Sequence, residues 1–405
     1  MTAAPAFEPA FARRMDRMKA SEIRELLKLL ERPGVISFAG GIPDPKLFPA
    51  EAAAEAYREA LANPAAAAAA LQYSVSEGYL PLRAWIGAHM AEQGVPADPD
   101  NIMITAGSQQ GLDFLGKLLI NPRDTVLTLA PTYLGALQAF SAYEPRYESI
   151  RPADGNRTPE ALRQSAAAAG GRVKFAYFVP DFANPTGETL SLEARQNLLD
   201  LARELEASVV EDAAYRALRF SGEPLPSLQA LDVAATGSLE ASRVVYLGTF
   251  SKTVAPGLRV GWVCASKAMI AKLVLITQAS ELNVSIINQI VMQRIASRLH
   301  GDLIERAREH YRLKRDALLA ALAAHMPAGV SWTRPEGGLF VWVTLPEGVD
   351  GAALLARSVE EVNVAFVPGG AFHPDGGGAN TIRLSYSLPS PEAIREGVRR
   401  LASLL

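Results

Sequence analysis

The sequence has little cysteine, little excess charge and no long apolar run. Cys264 is the only cysteine among 405 residues, so no disulfide can form within the chain, as is usual in a reducing compartment. The formal net charge is only −3, and no basic cluster suits nucleic acid. The sequence contains no run of about 18 apolar residues, the length needed to span a membrane. Residues 1–20 also lack the apolar core of a signal peptide. We therefore expect a cytoplasmic protein with neither a nucleic-acid nor a membrane partner.

Histidine is also scarce, with five residues scattered along the chain. None has the spacing of zinc ligands, and no cluster of histidine, cysteine and carboxylate residues suggests another metal. We therefore expect no metal site.

What the chain does contain is a regular alternation of short apolar runs and helical patterns, between about residues 101 and 250. This alternation predicts an α/β fold with a mainly parallel sheet covered by helices. A long helical stretch, two strands and a last helix then predict a smaller α+β domain. We expect an N-terminal arm with a substrate-closing helix (1–45), a large cofactor-binding domain (46–295) and a small C-terminal domain (296–405).

The strongest chemical signal is a lysine at the end of a predicted buried strand. Lys252 follows an apolar run, where an ammonium group is costly unless it has a chemical role. A lysine amine can form a Schiff base with a carbonyl cofactor, and Thr249, Ser251 and Arg259 suit a phosphate ester beside it. An aldehyde and a phosphate on one molecule indicate pyridoxal 5′-phosphate, held covalently at Lys252. A solvated loop lysine is the alternative.

Further candidate groups follow other predicted strands, at the edge where parallel sheets bind ligands. Asp212 could pair with a protonated pyridine nitrogen and keep the ring electron-accepting. Tyr215 and Asn184 could reach the ring oxygen, and Tyr133 could stack on the ring. Arg383 could bind a substrate α-carboxylate through two parallel hydrogen bonds. Taken singly, each residue has a structural alternative, such as a helix cap, a turn, a core side chain or a surface charge.

The run Gly107-Ser108-Gln109 opens a predicted helix directly after a strand. The free amides of a helix N-terminus attract anions. We therefore expect the amides of Ser108 and Gln109 to hold the phosphate; an ordinary helix cap is the alternative.

In their order along the chain, these motifs resemble those of the fold-type I pyridoxal-phosphate aminotransferases of class I/II. Segments 37–43 (SFAGGIP), 71–74 (LQYS), 107–110 (GSQQ), 210–216 (VEDAAYR) and 367–372 (VPGGAF) are similar to the 2-aminoadipate/kynurenine aminotransferase subgroup. The resemblance covers nearly the whole chain. It implies the aspartate-aminotransferase-like fold, whose large domain has a sheet of the seven-stranded type.

The resemblance also implies a homodimer with shared active sites, in which Tyr73 reaches the phosphate bound by the neighbouring subunit. Gly40 and the N-terminal helix with Ser21 and Arg24 would close over the substrate. Arg24 would pair with the distal carboxylate of a dicarboxylic substrate; a solvated helix charge is its alternative.

The implied activity is transfer of an amino group from an L-amino acid to a 2-oxo acid, expected to be 2-oxoglutarate, by a ping-pong mechanism. The donor could be 2-aminoadipate, leucine, an aromatic amino acid or a glutamate-like one. A lyase or decarboxylase of the same fold is one alternative, because the cofactor carries the chemistry. A non-catalytic ligand-sensing domain of a transcription regulator is another, although the roughly 20 residues before the predicted helix leave little room for a helix-turn-helix.

Overall fold

The computed structural model describes residues 10–18, 34–152 and 155–405. Ser21, Arg24 and the helix predicted around them lie outside these ranges. Within them, no helix is long and apolar enough to cross a membrane, and no group of three or more His, Cys, Asp or Glu side chains could hold a metal ion.

The described residues form short strands and longer helices that alternate through the first two thirds of the chain. The strands, in chain order, are β1 (Ile36–Ser37), β2 (Ile102–Thr105), β3 (Thr125–Thr128), β4 (Arg146–Ser149), β5 (Val173–Phe178), β6 (Ser208–Asp212), β7 (Val244–Thr249), β8 (Gly261–Cys264), β9 (Ser331–Trp332), β10 (Phe340–Thr344), β11 (Val364–Ala365), β12 (Val367–Pro368) and β13 (Thr381–Ser385). The helices are α1 (Ala50–Ala60), α2 (Pro64–Leu71), α3 (Leu80–Glu92), α4 (Ser108–Leu119), α5 (Leu134–Ser141), α6 (Pro159–Ala168), α7 (Leu192–Glu204), α8 (Leu228–Thr236), α9 (Lys267–Ser280), α10 (Ile286–His325), α11 (Gly351–Glu361) and α12 (Pro391–Ala402).

A seven-stranded sheet with the order β2-β8-β7-β6-β5-β3-β4 forms the centre of the large domain. Strand β8 runs in the opposite direction to the other six strands of this sheet. Every residue of β2, β3, β7 and β8 is buried, because helices cover both faces of such a sheet. The predicted α/β fold with a mainly parallel sheet is confirmed.

Local sequence explains where many of these helices begin. Serine or threonine side chains cap α6, α7, α8, α9 and α12, each accepting a hydrogen bond from the amide three residues later. Such caps satisfy an amide that has no partner within the helix. Each cap fixes the start of its helix at the end of the loop that precedes it.

The C-terminal part has its own four-stranded antiparallel sheet, with the order β12-β13-β10-β9. Strand β1 pairs in parallel with β11 and ties residues 36–37, within the predicted N-terminal arm, to this part. Helix α10 is 40 residues long and crosses the boundary predicted at 295/296. The smaller α+β unit is present, whereas the division at residues 45 and 295 stays a prediction.

Several elements differ from their predicted bounds. Strand β6 continues past the apolar residues Val209 and Val210 to Asp212, and the long helical stretch of the C-terminal part forms α10, which ends only at His325. Strand β4 was not predicted, because it is a half-exposed edge strand without an apolar core. Propensity and periodicity define such ends poorly, since packing decides them.

Candidate active site

The carboxyl ends of parallel strands β5, β6 and β7 meet at one edge of the large sheet. Asp212 ends β6, Lys252 follows β7, and Asn184 lies in the loop after β5. Together they line a cavity of about 160 Å³. The cavity brings together ten of the predicted residues: Ser108, Gln109, Tyr133, Asn184, Asp212, Tyr215, Thr249, Ser251, Lys252 and Arg259.

Asp212 is buried with only one of its two carboxylate oxygens paired. The Tyr177 hydroxyl donates to Oδ2 at 2.9 Å, whereas Oδ1 has no hydrogen-bond partner in the described part of the chain. Burial raises the pKa of Asp212 to about 6, against the opposing effects of Tyr177, the Ala214 amide and Lys252. An unpaired buried carboxylate oxygen fits a cationic donor such as a protonated pyridine nitrogen.

Lys252 also lines the cavity, and its amine reaches the loop that follows β1. Its Nζ donates to the Gly41 carbonyl at 3.1 Å and lies 5.7 Å from the centre of the Tyr215 ring. Burial lowers the pKa of Lys252 to about 8; the charges of Arg383 and Arg259 act in the same direction, and Asp212 opposes them. The amine can therefore lose its proton near neutral pH, as a nucleophile or base requires.

One end of the cavity is rich in hydroxyl, guanidinium and amide groups, which are donors that suit a phosphate. The Thr249 hydroxyl donates to Ser251 Oγ at 2.9 Å, and the Arg259 guanidinium donates to the Ala106 carbonyl at 2.7 Å. Helix α4 begins at Ser108 without a side-chain cap. The amides of its first turn are therefore not capped by a side chain, and the arrangement suits a phosphate.

Gly107 permits the close approach of Arg259 to this helix end. Its φ is +80°, and a Cβ there would lie 2.6 Å from an Arg259 guanidinium nitrogen. Any other residue would therefore combine backbone strain with a collision against the arginine.

Gln109 and Tyr133 form the side of the cavity towards α5. The Tyr133 hydroxyl donates to Gln109 Oε1 at 3.4 Å, and Gln109 Nε2 donates to the Gly135 carbonyl at 2.7 Å. Tyr133 directly precedes α5 as its N-cap residue, which places its ring at the edge of the cavity.

Arg383 on β13 is 1% exposed, so the alternative of a surface arginine is wrong. Its guanidinium lies 4.4 Å from the Phe340 ring centre and 5.1 Å from that of Phe372. One nitrogen donates to Asn184 Oδ1 at 2.7 Å, and another donates to the Gly40 carbonyl at 2.9 Å. Arg383, Asn184 and Gly40 therefore form one cluster beside the cavity.

Tyr73 lies apart from the cavity. Its side chain is 77% exposed, on the segment that joins α2 and α3. It is not among the described residues that line the cavity.

Four residues of the site were not predicted from the sequence. Tyr177 holds Asp212, Gly41 accepts from Lys252, and Phe340 and Phe372 enclose Arg383. For Tyr177 a signal existed, because a polar ring in an otherwise apolar strand needs a partner for its hydroxyl. For the two phenylalanines there was none, since they are ordinary core residues in sequence.

A larger cavity of about 460 Å³ lies between the sheet, α3 and α10. Ala214 and Thr249 line both cavities. The larger one contains none of the other predicted cofactor groups, so size alone does not locate the chemistry here.

Comparison with known proteins agrees with this geometry. The sequence model of the family Aminotransferase class I and II matches residues 34–401. The aromatic-amino-acid aminotransferase 1 of Thermococcus litoralis is 43% identical over 98% of this chain and 94% of its own. The 2-aminoadipate transaminase of Thermus thermophilus is 43% identical over 98% of this chain and 96% of its own.

Solved structures are similar over the same span. The α-aminoadipate aminotransferase of Thermus thermophilus, complexed with N-(5′-phosphopyridoxyl)-L-leucine, has a TM-score of 0.85 at 42% identity, covering 97% of this chain and 96% of that one. The kynurenine aminotransferase of Pyrococcus horikoshii, solved with PMP, has a TM-score of 0.88 at 42% identity, with the same coverage.

These relatives are named as aminotransferases, and the match covers nearly their full length. They therefore do not favour the lyase, decarboxylase or sensor alternatives. The expected cofactor, pyridoxal 5′-phosphate, and the expected amino acid and 2-oxo acid substrates are confirmed at the level of the family. The chain therefore belongs to the class I and II aminotransferases, the pyridoxal-phosphate-dependent transaminases of aspartate-aminotransferase-like fold.

Proposed function

We propose that this aminotransferase takes the amino group of 2-aminoadipate, leucine, an aromatic or a glutamate-like amino acid and gives it to 2-oxoglutarate by a ping-pong mechanism. One structural observation carries the proposal: Lys252 and Arg383 converge on the carbonyls of Gly41 and Gly40. A substrate seated there would have its amine near Lys252 and its α-carboxylate near Arg383. Relatives that act on 2-aminoadipate and aromatic amino acids support the donor range.

We assign the chemical steps to groups that line the cavity. When bound, pyridoxal 5′-phosphate supplies an aldehyde for the amino group and a ring that accepts the electrons of the α-carbon. Lys252 Nζ would bind the cofactor aldehyde and would take the proton from the substrate α-carbon. Asp212 Oδ1 would hold the ring nitrogen, and Asn184 and Tyr215 would hold the ring oxygen. Tyr133 would pack on the ring.

The phosphate end is assigned to the groups around α4. The amides of Ser108 and Gln109 donate to the phosphate, and Gly107 leaves room for this contact. The side chains of Thr249, Ser251 and Arg259 complete the proposed phosphate site.

The substrate carboxylate is assigned to Arg383, with Asn184 beside it. Because Arg383 now donates to the carbonyl of Gly40, a substrate would compete for that donor or share it. Substrate binding would therefore weaken or break the hydrogen bond between Arg383 and the Gly40 carbonyl. Ser21 and Arg24 are proposed to complete the closure, with Arg24 at a distal carboxylate.

We further propose a homodimer with shared active sites. Leu71, Tyr73, Val75 and Leu282 are large apolar or aromatic side chains that are each more than half exposed. The Ser76 hydroxyl donates to the Leu282 carbonyl at 2.6 Å, so these side chains form one neighbouring group, the Tyr73 surface. Burial of such a surface favours association, and it would carry Tyr73 to the other subunit's phosphate. A cytoplasmic location stays a prediction.

The experiment is a half-reaction followed by absorbance. Purified holoenzyme is mixed with single amino acids, and conversion of the cofactor to the pyridoxamine form is recorded. We expect conversion by 2-aminoadipate, leucine and aromatic amino acids, and reversal by 2-oxoglutarate. Acceptance of none of these donors would overturn the proposed substrate range, and intersecting rather than parallel initial-rate lines would overturn the ping-pong mechanism.

Arg24 is tested separately by substrate class. Arg24→Ala should lower kcat/KM for 2-aminoadipate more than for leucine, which has no distal carboxylate and serves as the internal control. Equal losses for both would remove Arg24 from substrate recognition.

A further inference from the structure

Tyr177 is buried next to the site without being part of its lining. It lies on β5 with no exposed surface and does not line the cofactor cavity. In the parallel pairing of β5 with β6, Tyr177 lies opposite Val210. Because side chains alternate along a strand, Val210 and Asp212 project to the same face. The sheet register therefore places the Tyr177 ring beside the Asp212 carboxylate.

The Tyr177 ring has little freedom to leave this position. It packs edge-to-face against Phe140 of α5, with ring centres 5.8 Å apart and planes at 79°. Its hydroxyl donates to Asp212 Oδ2 at 2.9 Å. Burial and the Asp212 charge raise the pKa of Tyr177 well above its usual range, so the hydroxyl keeps its proton and remains a donor.

This bond distinguishes the two oxygens of Asp212. Oδ2 is occupied by Tyr177, and Oδ1 is left without a partner among the described residues. A carboxylate without such a bond could rotate, and its charge would be shared differently between the oxygens. With one oxygen held, the other has a defined direction and a reduced basicity.

We propose that Tyr177 is a positioning residue that directs Oδ1 of Asp212 at the ring nitrogen of the bound cofactor and keeps the shared proton on that nitrogen. The inference rests on the role proposed above for Asp212. It extends that role to a residue that touches neither cofactor nor substrate and acts through one hydrogen bond.

The test is the protonation state of the ring nitrogen, read directly by NMR of holoenzyme loaded with ¹⁵N-labelled cofactor. Tyr177→Phe removes only the hydroxyl. Without its donor, Asp212 becomes more basic, so we expect the ring ¹⁵N resonance to move towards that of a neutral pyridine. We also expect kcat to fall on the order of tenfold, the effect of one charge-assisted hydrogen bond, with KM unchanged.

Tyr386→Phe is the matched control. Tyr386 is equally buried, and its hydroxyl also makes a 2.9 Å hydrogen bond, to the carbonyl of Gly337. A purely structural effect would therefore appear in both variants, and the ring ¹⁵N resonance would stay at its wild-type position in both. That result would overturn the role of Tyr177.

The wild-type spectrum distinguishes a failure of the role of Tyr177 from a failure of the role of Asp212. A neutral ring nitrogen in wild-type holoenzyme would overturn the role of Asp212 and that of Tyr177 with it. A protonated one that is unchanged in Tyr177→Phe would overturn only Tyr177. If Tyr177→Phe does not fold, 3-fluorotyrosine at position 177 keeps the bond with a more acidic donor. The ring resonance should then move further towards the protonated form, and an unchanged resonance would overturn the inference.

Discussion

The side chains of Lys252 and Arg383 donate to consecutive carbonyls of one short loop. Lys252 Nζ donates to Gly41 at 3.1 Å, and Arg383 donates to Gly40 at 2.9 Å. Next to burial, the charge of Arg383 is the largest cause that lowers the pKa of Lys252 to about 8. A substrate carboxylate bound to Arg383 would neutralise this charge and raise the pKa of Lys252. Substrate binding at Arg383 would therefore change the basicity of Lys252 electrostatically.

Replacement of Lys252 tests the covalent attachment. Lys252→Ala should abolish turnover, and borohydride reduction should no longer fix the cofactor to the chain, because no other lysine is among the described residues that line the cavity. Mass spectrometry of the denatured protein measures the attachment. Lys267→Ala, at a half-exposed lysine paired with Asp98, is the control and should keep the added mass. A cofactor mass retained on Lys252→Ala would contradict the assignment.

Replacement of Arg383 tests carboxylate binding. Arg383→Lys keeps the charge but loses the planar pair of donors, so kcat/KM for amino acids should fall on the order of a hundredfold. Steady-state kinetics with two donors measures this. Arg195→Lys is the matched control, because Arg195 is fully buried in an ion pair with Asp181 at 2.7 Å, outside the cofactor cavity. Equal losses in both variants would indicate a structural effect only.

The pH dependence of stability should report on Asp212. Burial raises its pKa from 3.8 to about 6, so between these values the folded protein holds a proton that the unfolded chain releases. The free energy of unfolding of cofactor-free protein should therefore fall as pH rises from about 4 to about 6, by about 3 kcal/mol from this carboxyl. Urea unfolding of wild type and Asp212→Asn measures it, since the variant lacks this contribution.

The control for this comparison is Asp200→Asn, at a carboxylate that is 63% exposed. Its unfolding profile should follow that of wild type through the same pH range. If the Asp212→Asn profile also runs parallel to wild type, the carboxyl does not bind its proton more tightly in the folded state.

Alanine at two glycines with positive φ should separate an effect on the cofactor site from an effect on stability. Gly237 (φ +83°, ψ −8°) is left-handed helical, and Gly107 (φ +80°, ψ 165°) lies in a region that essentially only glycine adopts. Alanine should therefore strain Gly237 by about 1 kcal/mol and Gly107 by more. Only at Gly107 would the new methyl meet Arg259, at 2.6 Å, whereas nothing lies within 4 Å of Gly237. Gly107→Ala should therefore weaken cofactor binding on the order of tenfold or more, and Gly237→Ala should lower stability alone. Equal cofactor affinity in the two variants, measured by equilibrium dialysis, would contradict this.

The Tyr73 surface should hold the proposed dimer together. Leu71→Asp places a charge on a residue that is 70% exposed in the single chain and should yield a species near 43.3 kDa in sedimentation velocity. Desolvation of that carboxylate would oppose association. Leu313→Asp, at a residue that is 51% exposed on α10, should leave the dimer intact. A dimer in Leu71→Asp would exclude this surface.

Sharing of the active sites has its own test. Mixed dimers are formed from Tyr73→Ala and Lys252→Ala subunits. If Tyr73 acts across the interface, the site that retains Lys252 receives an intact Tyr73 and recovers activity. Mixtures no more active than Tyr73→Ala alone would place Tyr73 outside the neighbouring site.

The sequence was most informative where a chemical group follows a strong local pattern. Lys252 and Asp212 both end apolar runs, and the ends of parallel strands meet at one edge of a sheet. The sequence pattern alone therefore predicts that Lys252 and Asp212 lie close together. The polar edge strand β4 and the far end of α10 could not, because their limits depend on what packs against them.

By itself, the sequence determined the α/β class, the strand-end position of the lysine and the carboxylate, and the residue types suited to a phosphate. These follow from periodicity and from the cost of burying a charge. Only the tertiary structure decided that Arg383 is buried against Asn184, 199 positions away, and that Tyr177 holds one oxygen of Asp212. Such pairs depend on sheet register and on the packing of one domain against another, which no local pattern contains.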